Sequence, residues 1–124
     1  MQTILFILIL VVALEQTFIM VLEMFFIQSE MAKKTFGTDP ELLSKKQVQV
    51  MFANQGLYNG LLAAGLFWSL FSKAALNDSL KFFFLACVII AAIYGAFTAN
   101  KKIIVKQGGI AIIAMFLLII SKVI

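Results

Sequence analysis

The residues best suited to chemistry lie inside the first hydrophobic segment of the chain. Residues 3–27 are apolar except for three strongly polar side chains, those of Glu15, Gln16 and Glu23. A helix over this segment extends roughly 37 Å, which exceeds a bilayer hydrocarbon core of about 30 Å. A carboxyl group at membrane depth is costly, and such residues usually mark a path for ions, protons or substrates. The two glutamates are therefore the first candidates for a functional site.

A second hydrophobic segment carries a group of amide and phenol side chains. These are Asn54, Gln55, Tyr58 and Asn59. At 100° per residue they fall within an arc of about 140° of a helix. Gly56, Gly60 and Ala64 form a stripe of small residues that we place on the opposite side, where another helix can approach closely. We expect the polar arc to face the first helix and the small-residue stripe to face a different one.

Three further polar residues occur in the third and fourth hydrophobic segments. They are Tyr94, Thr98 and Gln107. If the first and third connections are cytoplasmic, as the lysine positions predict, these residues share the cytoplasmic half of the membrane with Glu23, Asn54 and Gln55. Glu15, Gln16 and Asn59 lie nearer the middle, and the outer half is almost wholly apolar. The pattern predicts an intramembrane polar pocket that is closed outward and open, or nearly open, to the cytoplasm.

Depth also predicts how the glutamates are paired. Counted from the cytoplasmic helix ends, Glu23 matches Gln55 and Glu15 matches Asn59 to within about 3–5 Å, at a rise of 1.5 Å per residue. We therefore expect at least one glutamate to be hydrogen-bonded to an amide of the second helix. Because a lone charge at this depth is so unfavourable, we expect Glu15 to be neutral unless a cation binds.

Composition indicates a membrane protein with a single domain. The chain has 124 residues, of which 63% are hydrophobic and 13% charged, and its mean hydropathy is +1.06. A soluble domain carries about 25% charged residues. Backbone groups in lipid must be paired within each span, so the spans should be helical, and short connections make neighbouring helices antiparallel. The predicted fold is an all-α bundle of four antiparallel transmembrane helices, at about 3–27, 40–72, 79–99 and 103–121.

Capping residues refine two of these boundaries. The run Asp39-Pro40-Glu41 supplies an N-cap, a first-turn proline and an early acidic residue, and it predicts that the second helix begins near Pro40. The run Asn77-Asp78-Ser79 offers N-caps for the third helix. The third helix is expected to fray near Asn100.

Lysine positions predict the orientation in the membrane. The first and third connections carry seven lysines, and the second connection with the C-terminal end carries three. Because lysine-rich connections stay in the cytoplasm, the first and third connections are predicted to be cytoplasmic and both termini outside. The chain is therefore predicted to cross the membrane several times.

Several kinds of chemistry have no support in the sequence. The chain has no histidine, which is the commonest general base and metal ligand. It has neither a cysteine–histidine cluster for zinc nor a phosphate-binding glycine motif. The lysines flank hydrophobic segments and do not form the basic stripe of a nucleic-acid-binding protein. We therefore predict no cofactor, no metal site and no nucleic-acid partner.

One run of the sequence is distinctive enough to suggest a family. It is Asn54-Gln55-Gly56-Leu57-Tyr58-Asn59-Gly60, preceded by Ala13-Leu14-Glu15 and Leu22-Glu23-Met24-Phe25. With Tyr94-Gly95-Ala96 and Gln107-Gly108-Gly109, it resembles the bacterial domain of unknown function 1304 family over essentially the whole chain. The resemblance implies a small four-helix membrane protein without an assigned activity, located in the bacterial cytoplasmic (inner) membrane. The family pattern commonly has histidine at the position of Gln16 and proline at that of Ile110.

Three classes of function remain open from the sequence. The first is binding or transport of a small amphipathic molecule or cation, with or without proton coupling, in the polar pocket. The second is a structural or partner-binding membrane protein whose polar residues specify helix packing. A homo-oligomer is compatible with both of these classes. The third is an intramembrane enzyme that uses Glu15 and Glu23 as acid and base on a lipid-like substrate. We rank them in that order.

Overall fold

A computed structural model of the protein describes residues 1–99 and 101–124, with the side chains at positions 103 and 104 outside the description. The described residues form six helices and no strand: α1 (Gln2–Phe25), α2 (Glu30–Phe36), α3 (Pro40–Leu43), α4 (Lys46–Phe71), α5 (Ala74–Thr98) and α6 (Lys102–Val123). The chain is therefore all-helical in the part described. The predicted fraying at Asn100 lies outside the described residues.

Three of the helices are long and apolar enough to cross a membrane. Among the described residues these are Gln2–Phe25, Ala74–Thr98 and Val105–Val123. Helix α4 has 26 residues and is long enough to cross a membrane, but it is less apolar than these three helices. Its middle part carries Asn54, Gln55 and Asn59, which lower its mean hydropathy. The helix that is least apolar is thus the one with the most amides.

The first connection contains two short helices rather than a simple loop. Ser29 caps α2 by accepting a hydrogen bond from the Ala32 amide, and Gly37 ends α2 in the left-handed region, at φ 64°. Asp39 caps α3 by accepting from the Glu41 amide. Helix α3 ends at Leu43 and α4 begins at Lys46, so a single helix over 40–72 does not form.

Helix α5 begins at Ala74, earlier than its predicted start at 79. Asn77 and Asp78 therefore lie within the helix and do not cap it. Asp78 forms an ion pair with Lys122 near the end of α6. This pair joins the first turns of α5 to the last turn of α6, so the two helices run in opposite directions.

The chain forms two compact units that divide α1 and α4 between them. The hairpin unit is Gln16–Leu61, and the terminal unit is Met1–Glu15 with Leu62–Ile124. In the hairpin unit a small apolar core of Leu22, Ile27, Ala32 and Leu43 holds α2 and α3 against the longer helices. Burial of these side chains explains why the first connection is ordered into helices.

The terminal unit has a larger core, made mostly of apolar side chains. Its fully buried members include Leu5 and Ile9 of α1, Leu66 of α4 and Leu85 of α5. Gly65 lies directly under the Phe84 ring, where any side chain on α4 would collide with it. Gly65 therefore lets the Phe84 ring of α5 pack against the backbone of α4.

Candidate functional site

The centre of the candidate site is Glu23, whose side chain is 0% exposed. The Nε2 atom of Gln55 donates a hydrogen bond of 2.8 Å to its Oε2 atom. The Nδ2 atom of Asn59 donates one of 2.6 Å to its Oε1 atom. We call these three residues the Glu23 cluster. The prediction that a glutamate of the first helix is bonded to an amide of the second is confirmed.

The spacing of the two amides explains why one carboxyl group receives both. Gln55 and Asn59 are four residues apart on α4, so their side chains lie one above the other on the same face. Met20 of α1 lies against Gly60 of α4, and Glu23 further along α1 lies against Gly56, which comes earlier in α4. The two helices therefore run antiparallel within the hairpin unit, and the carboxyl group lies against one turn of α4.

Two glycines of α4 allow this close approach. A Cβ atom at Gly56 would lie 2.9 Å from Glu23 Cβ, 2.9 Å from Met24 Cγ and 3.2 Å from the Met20 carbonyl oxygen. A Cβ atom at Gly60 would meet the Met20 thioether. Both glycines thus face α1, and they bring the backbone of α4 close enough for short amide side chains to reach Glu23.

The prediction that Gly56 and Gly60 face a helix other than α1 is therefore wrong. Asn59 and Gly56 are three residues apart and only about 60° apart around the helix. When two helices approach this closely, residues on both sides of the contact line touch the partner. The amides and the glycines of α4 form one interface with α1, while Ala64, the third member of the predicted stripe, is exposed.

The Glu23 cluster has no fixed positive charge. Both donors are neutral amides, and none of the lysines in the described residues lies within 4 Å of the carboxyl oxygens. A primary amide has both N–H donors and a carbonyl acceptor. It can donate to an ionised carboxylate, or turn over and accept from a protonated one. The cluster is therefore built to hold Glu23 in either state.

The other predicted pocket residues of the hairpin unit lie outside the cluster. Gln16 is buried, at 3% exposure, whereas Asn54 and Tyr58 are exposed. Asn59, which depth matched with Glu15, donates to Glu23 instead. Depth alone assigns Gln55 and Asn59 to different glutamates, because they lie a full helical turn apart. The two oxygens of the Glu23 carboxyl group span this turn and accept from both amides.

The remaining predicted pocket residues belong to the terminal unit. Glu15 and Gln107 are half-buried. Tyr94 is 71% exposed, and the Thr98 hydroxyl donates to the Tyr94 carbonyl oxygen at 2.8 Å. This bond lies within one helix and satisfies Thr98 locally. Of the ten predicted pocket residues, the structure brings three into mutual contact.

An open cavity in the hairpin unit begins one residue beyond Glu23, and the sequence did not reveal it. Its volume is about 380 Å³, and its lining includes Met24, Phe25, Lys46, Gln49 and Val50. Phe25 is strongly exposed. The cavity combines an apolar wall with a polar rim, which suits an amphipathic molecule. The sequence indicates Lys46 only as an orientation signal, because the aromatic residues that share this cavity with it lie about twenty positions earlier in the chain.

Comparison with known proteins gives the chain a family. Residues 10–119 match the family described as "Protein of unknown function (DUF1304)". The chain is also similar to "Uncharacterized protein YpaA" of Lactococcus lactis subsp. lactis (strain IL1403), with 42% identity over 106 residues that cover 86% of this chain and 88% of that protein. No solved structure matches the chain. The resemblance inferred from the amide–glycine run is thereby confirmed, and the protein belongs to the DUF1304 family.

Proposed function

We propose that this membrane protein binds a cation at the Glu23 cluster, either a proton or the charged group of a small amphipathic molecule, and that it carries this ligand across or within the membrane. The observation that carries the proposal is the carboxyl group of Glu23, which is fully buried and held only by neutral amides. A buried charge without a counter-ion is costly. The cluster avoids this cost by taking up a positive ligand.

The amides suit such a cycle better than fixed charges would. A lysine or arginine beside Glu23 would neutralise it permanently and compete with any cation. Gln55 and Asn59 stabilise the ionised carboxylate with two N–H donors and can turn to accept the O–H of the acid. A proton or an organic cation can therefore bind and leave without breaking the helix interface.

The neighbouring cavity supports an amphipathic ligand rather than a bare ion. Met24 lines the cavity and follows Glu23 directly in α1, and Phe25 and Val50 add apolar surface. An apolar group in this cavity is therefore close along α1 to the Glu23 cluster. A ligand that places a hydrocarbon part in the cavity and a cationic part at Glu23 satisfies both regions.

The proposal includes a four-helix antiparallel bundle in the bacterial cytoplasmic membrane, with both termini outside. Within the terminal unit, the Phe6 and Phe71 rings meet edge to face, with centroids 6.4 Å apart, which supports an antiparallel α1 and α4. The lysine asymmetry supports the orientation. In a variant with Cys87 replaced by serine, an external thiol reagent should label Asn77→Cys and miss Lys34→Cys. Labelling of Lys34→Cys in intact cells would reverse the orientation.

One observation favours a structural role as the second candidate. Both oxygens of Glu23 already have partners within the chain, so the cluster can fix the register of α1 on α4 without any ligand. The two functions differ in what Glu23→Gln does. Glutamine keeps the size and can bond both amides, so it preserves a packing role, but it cannot bind a cation.

Calorimetric titration of the detergent-solubilised protein with tetraphenylphosphonium tests the proposal. We expect saturable binding to the wild type, loss of binding in Glu23→Gln, and unchanged binding in Glu30→Gln. Glu30 is a suitable control because it is exposed and pairs only with Lys33 on the same helix, at 3.6 Å. Equal binding by the wild type and Glu23→Gln would leave packing as the role of the cluster.

A further inference from the structure

The outer face of α4 in the hairpin unit carries an exposed amide. Around Asn54 the exposed side chains are those of Met51, Leu57 and Tyr58, which lie three or four residues from it along the helix. This spacing places all four side chains on one side of α4. We call them the Asn54 face. None of the four residues lines the cavity of the hairpin unit or belongs to the Glu23 cluster.

The Asn54 face points away from α1. Gly56 faces α1, and Asn54 comes two residues earlier, which places it about 200° away around the helix. The outer face of α1 is different in kind. Phe18 comes two residues before Met20, which lies against Gly60 of α4, and the exposed Phe18 side chain is apolar. The outer side of α1 therefore suits lipid, whereas the outer side of α4 presents an amide and a phenol.

The depth of Asn54 makes its exposure to lipid costly. Helix α4 begins at Lys46, and Asn54 lies eight residues further, about 12 Å along the helix axis. Because α4 crosses the membrane in the proposed function, on which this inference rests, the amide lies within the hydrocarbon layer. Its side chain is too short to reach the headgroups. An amide in hydrocarbon is costly unless it is hydrogen-bonded, so a polar partner on the Asn54 face would stabilise α4.

A second copy of the chain supplies that partner at the right depth. A primary amide has both donors and an acceptor, so two Asn54 side chains can bond to each other reciprocally. Two copies inserted in the same orientation have parallel α4 helices, and a two-fold axis along the membrane normal brings each residue near its counterpart. None of the four side chains of the Asn54 face is charged, so identical faces do not repel each other. A single asparagine between two parallel helices also sets their register.

We propose that the Asn54 face is the interface of a parallel homodimer. The Asn54 side chains of the two copies bond to each other within the membrane, and Met51, Leu57 and Tyr58 pack around them. Leu57 follows Asn54 by three residues, the spacing that brings successive contact residues of two parallel helices onto the same seam. Leu57 of one copy therefore lies near Leu57 of the other.

Oxidative crosslinking in intact membranes tests where the interface lies. In a variant with Cys87 replaced by serine, Leu57→Cys should form a disulfide-linked dimer on oxidation with copper phenanthroline, and Phe18→Cys should not. The two positions are matched, because both side chains are 46% exposed and both lie in the hairpin unit. Equal crosslinking at the two positions would indicate random collision and would overturn the proposal, as would the absence of a dimer with Leu57→Cys.

Substitutions of Asn54 test whether the amide holds the dimer together. Energy transfer between labelled copies in liposomes, measured over a range of protein-to-lipid ratios, gives the dimer affinity. We expect this affinity to fall about tenfold in Asn54→Leu and to stay near the wild-type value in Asn54→Gln, which keeps an amide. Tyr94→Leu is the control, because Tyr94 is a polar residue of α5 that is 71% exposed. An unchanged affinity in Asn54→Leu, or an equal loss in Tyr94→Leu, would contradict the proposal.

Tetraphenylphosphonium binding separates the dimer interface from the proposed function. Asn54→Leu leaves Glu23, Gln55 and Asn59 unchanged, so this variant should lose the dimer and still bind the cation. Glu23→Gln should do the reverse, losing cation binding while the dimer persists. A dimer in a wild-type protein that does not bind the cation would contradict the proposed function and support the interface, whereas cation binding by a protein that never dimerises would do the opposite.

Discussion

Helices α1 and α4 contact each other in two different ways within the two units. In the hairpin unit their interface contains Glu23, two amides and two glycines, whereas in the terminal unit it consists of leucine, isoleucine and phenylalanine side chains. In lipid, apolar side chains pack without a strong hydrophobic driving force, and small or polar residues supply more of the attraction between helices. The comparison indicates that the polar half of the helix pair is specialised, since apolar residues alone hold the other half.

Gly56→Leu should give the largest effect, because a side chain there would meet atoms of α1 that cannot move away. The atoms that a new Cβ would meet include Glu23 Cβ and the Met20 carbonyl oxygen, which cannot rotate away. We expect a loss of about 3 kcal/mol in the free energy of unfolding, at the upper end of overpacking costs. Unfolding in a denaturing detergent measures it. Gly109→Leu is the control, since a Cβ there meets nothing within 4 Å.

Leu66→Ala tests the terminal unit by removing apolar packing from its core. Leu66 is fully buried in the apolar core, so its truncation leaves a cavity and should cost about 2 kcal/mol. The same unfolding measurement applies, with the exposed Leu61→Ala as the control. Tetraphenylphosphonium binding should survive this substitution. Loss of binding in a folded Leu66→Ala variant would mean that the apolar interface is also part of the site.

A double-mutant cycle between Glu23→Leu and Asn59→Leu measures the polar contact itself. Interhelical hydrogen bonds in membranes contribute about 0.6 kcal/mol on average and reach about 1.7 kcal/mol. The bond of 2.6 Å between Asn59 and Glu23 should lie near the upper value, because the carboxyl group is fully buried. Additive single effects would show that the bond contributes nothing to the hairpin interface.

The ion pair between Asp78 and Lys122 should have the smallest effect. The Lys122 side chain is largely exposed, and exposed ion pairs contribute about 0–1 kcal/mol. Lys122→Met should therefore change the free energy of unfolding by less than about 0.5 kcal/mol. A loss comparable with that of Leu66→Ala would mean that charges, and not apolar packing, hold the terminal unit together.

The sequence predicted the contact between α1 and α4 but not its shape. Depth and helical periodicity were sufficient to pair a glutamate with Gln55 or Asn59. They could not show that Gly56 also faces α1. Helical periodicity places Gly56 and the amides on different sides of α4, but a close contact with α1 covers both sides. Helix α2 was not predicted, because Ser29 and Gly37 mark only its two ends. Its stability comes from packing in the apolar core of the hairpin unit, which the sequence does not show. The start of α5 was misplaced because Asp78 pairs with distant Lys122.

Infrared difference spectroscopy on adding tetraphenylphosphonium tests most directly whether Glu23 is the cation site. If the organic cation displaces a proton from Glu23, the carbonyl band of a protonated carboxyl group should disappear and a carboxylate band should appear. Both changes should be absent in Glu23→Gln and intact in Glu30→Gln. Identical difference spectra for the wild type and Glu23→Gln would contradict the account.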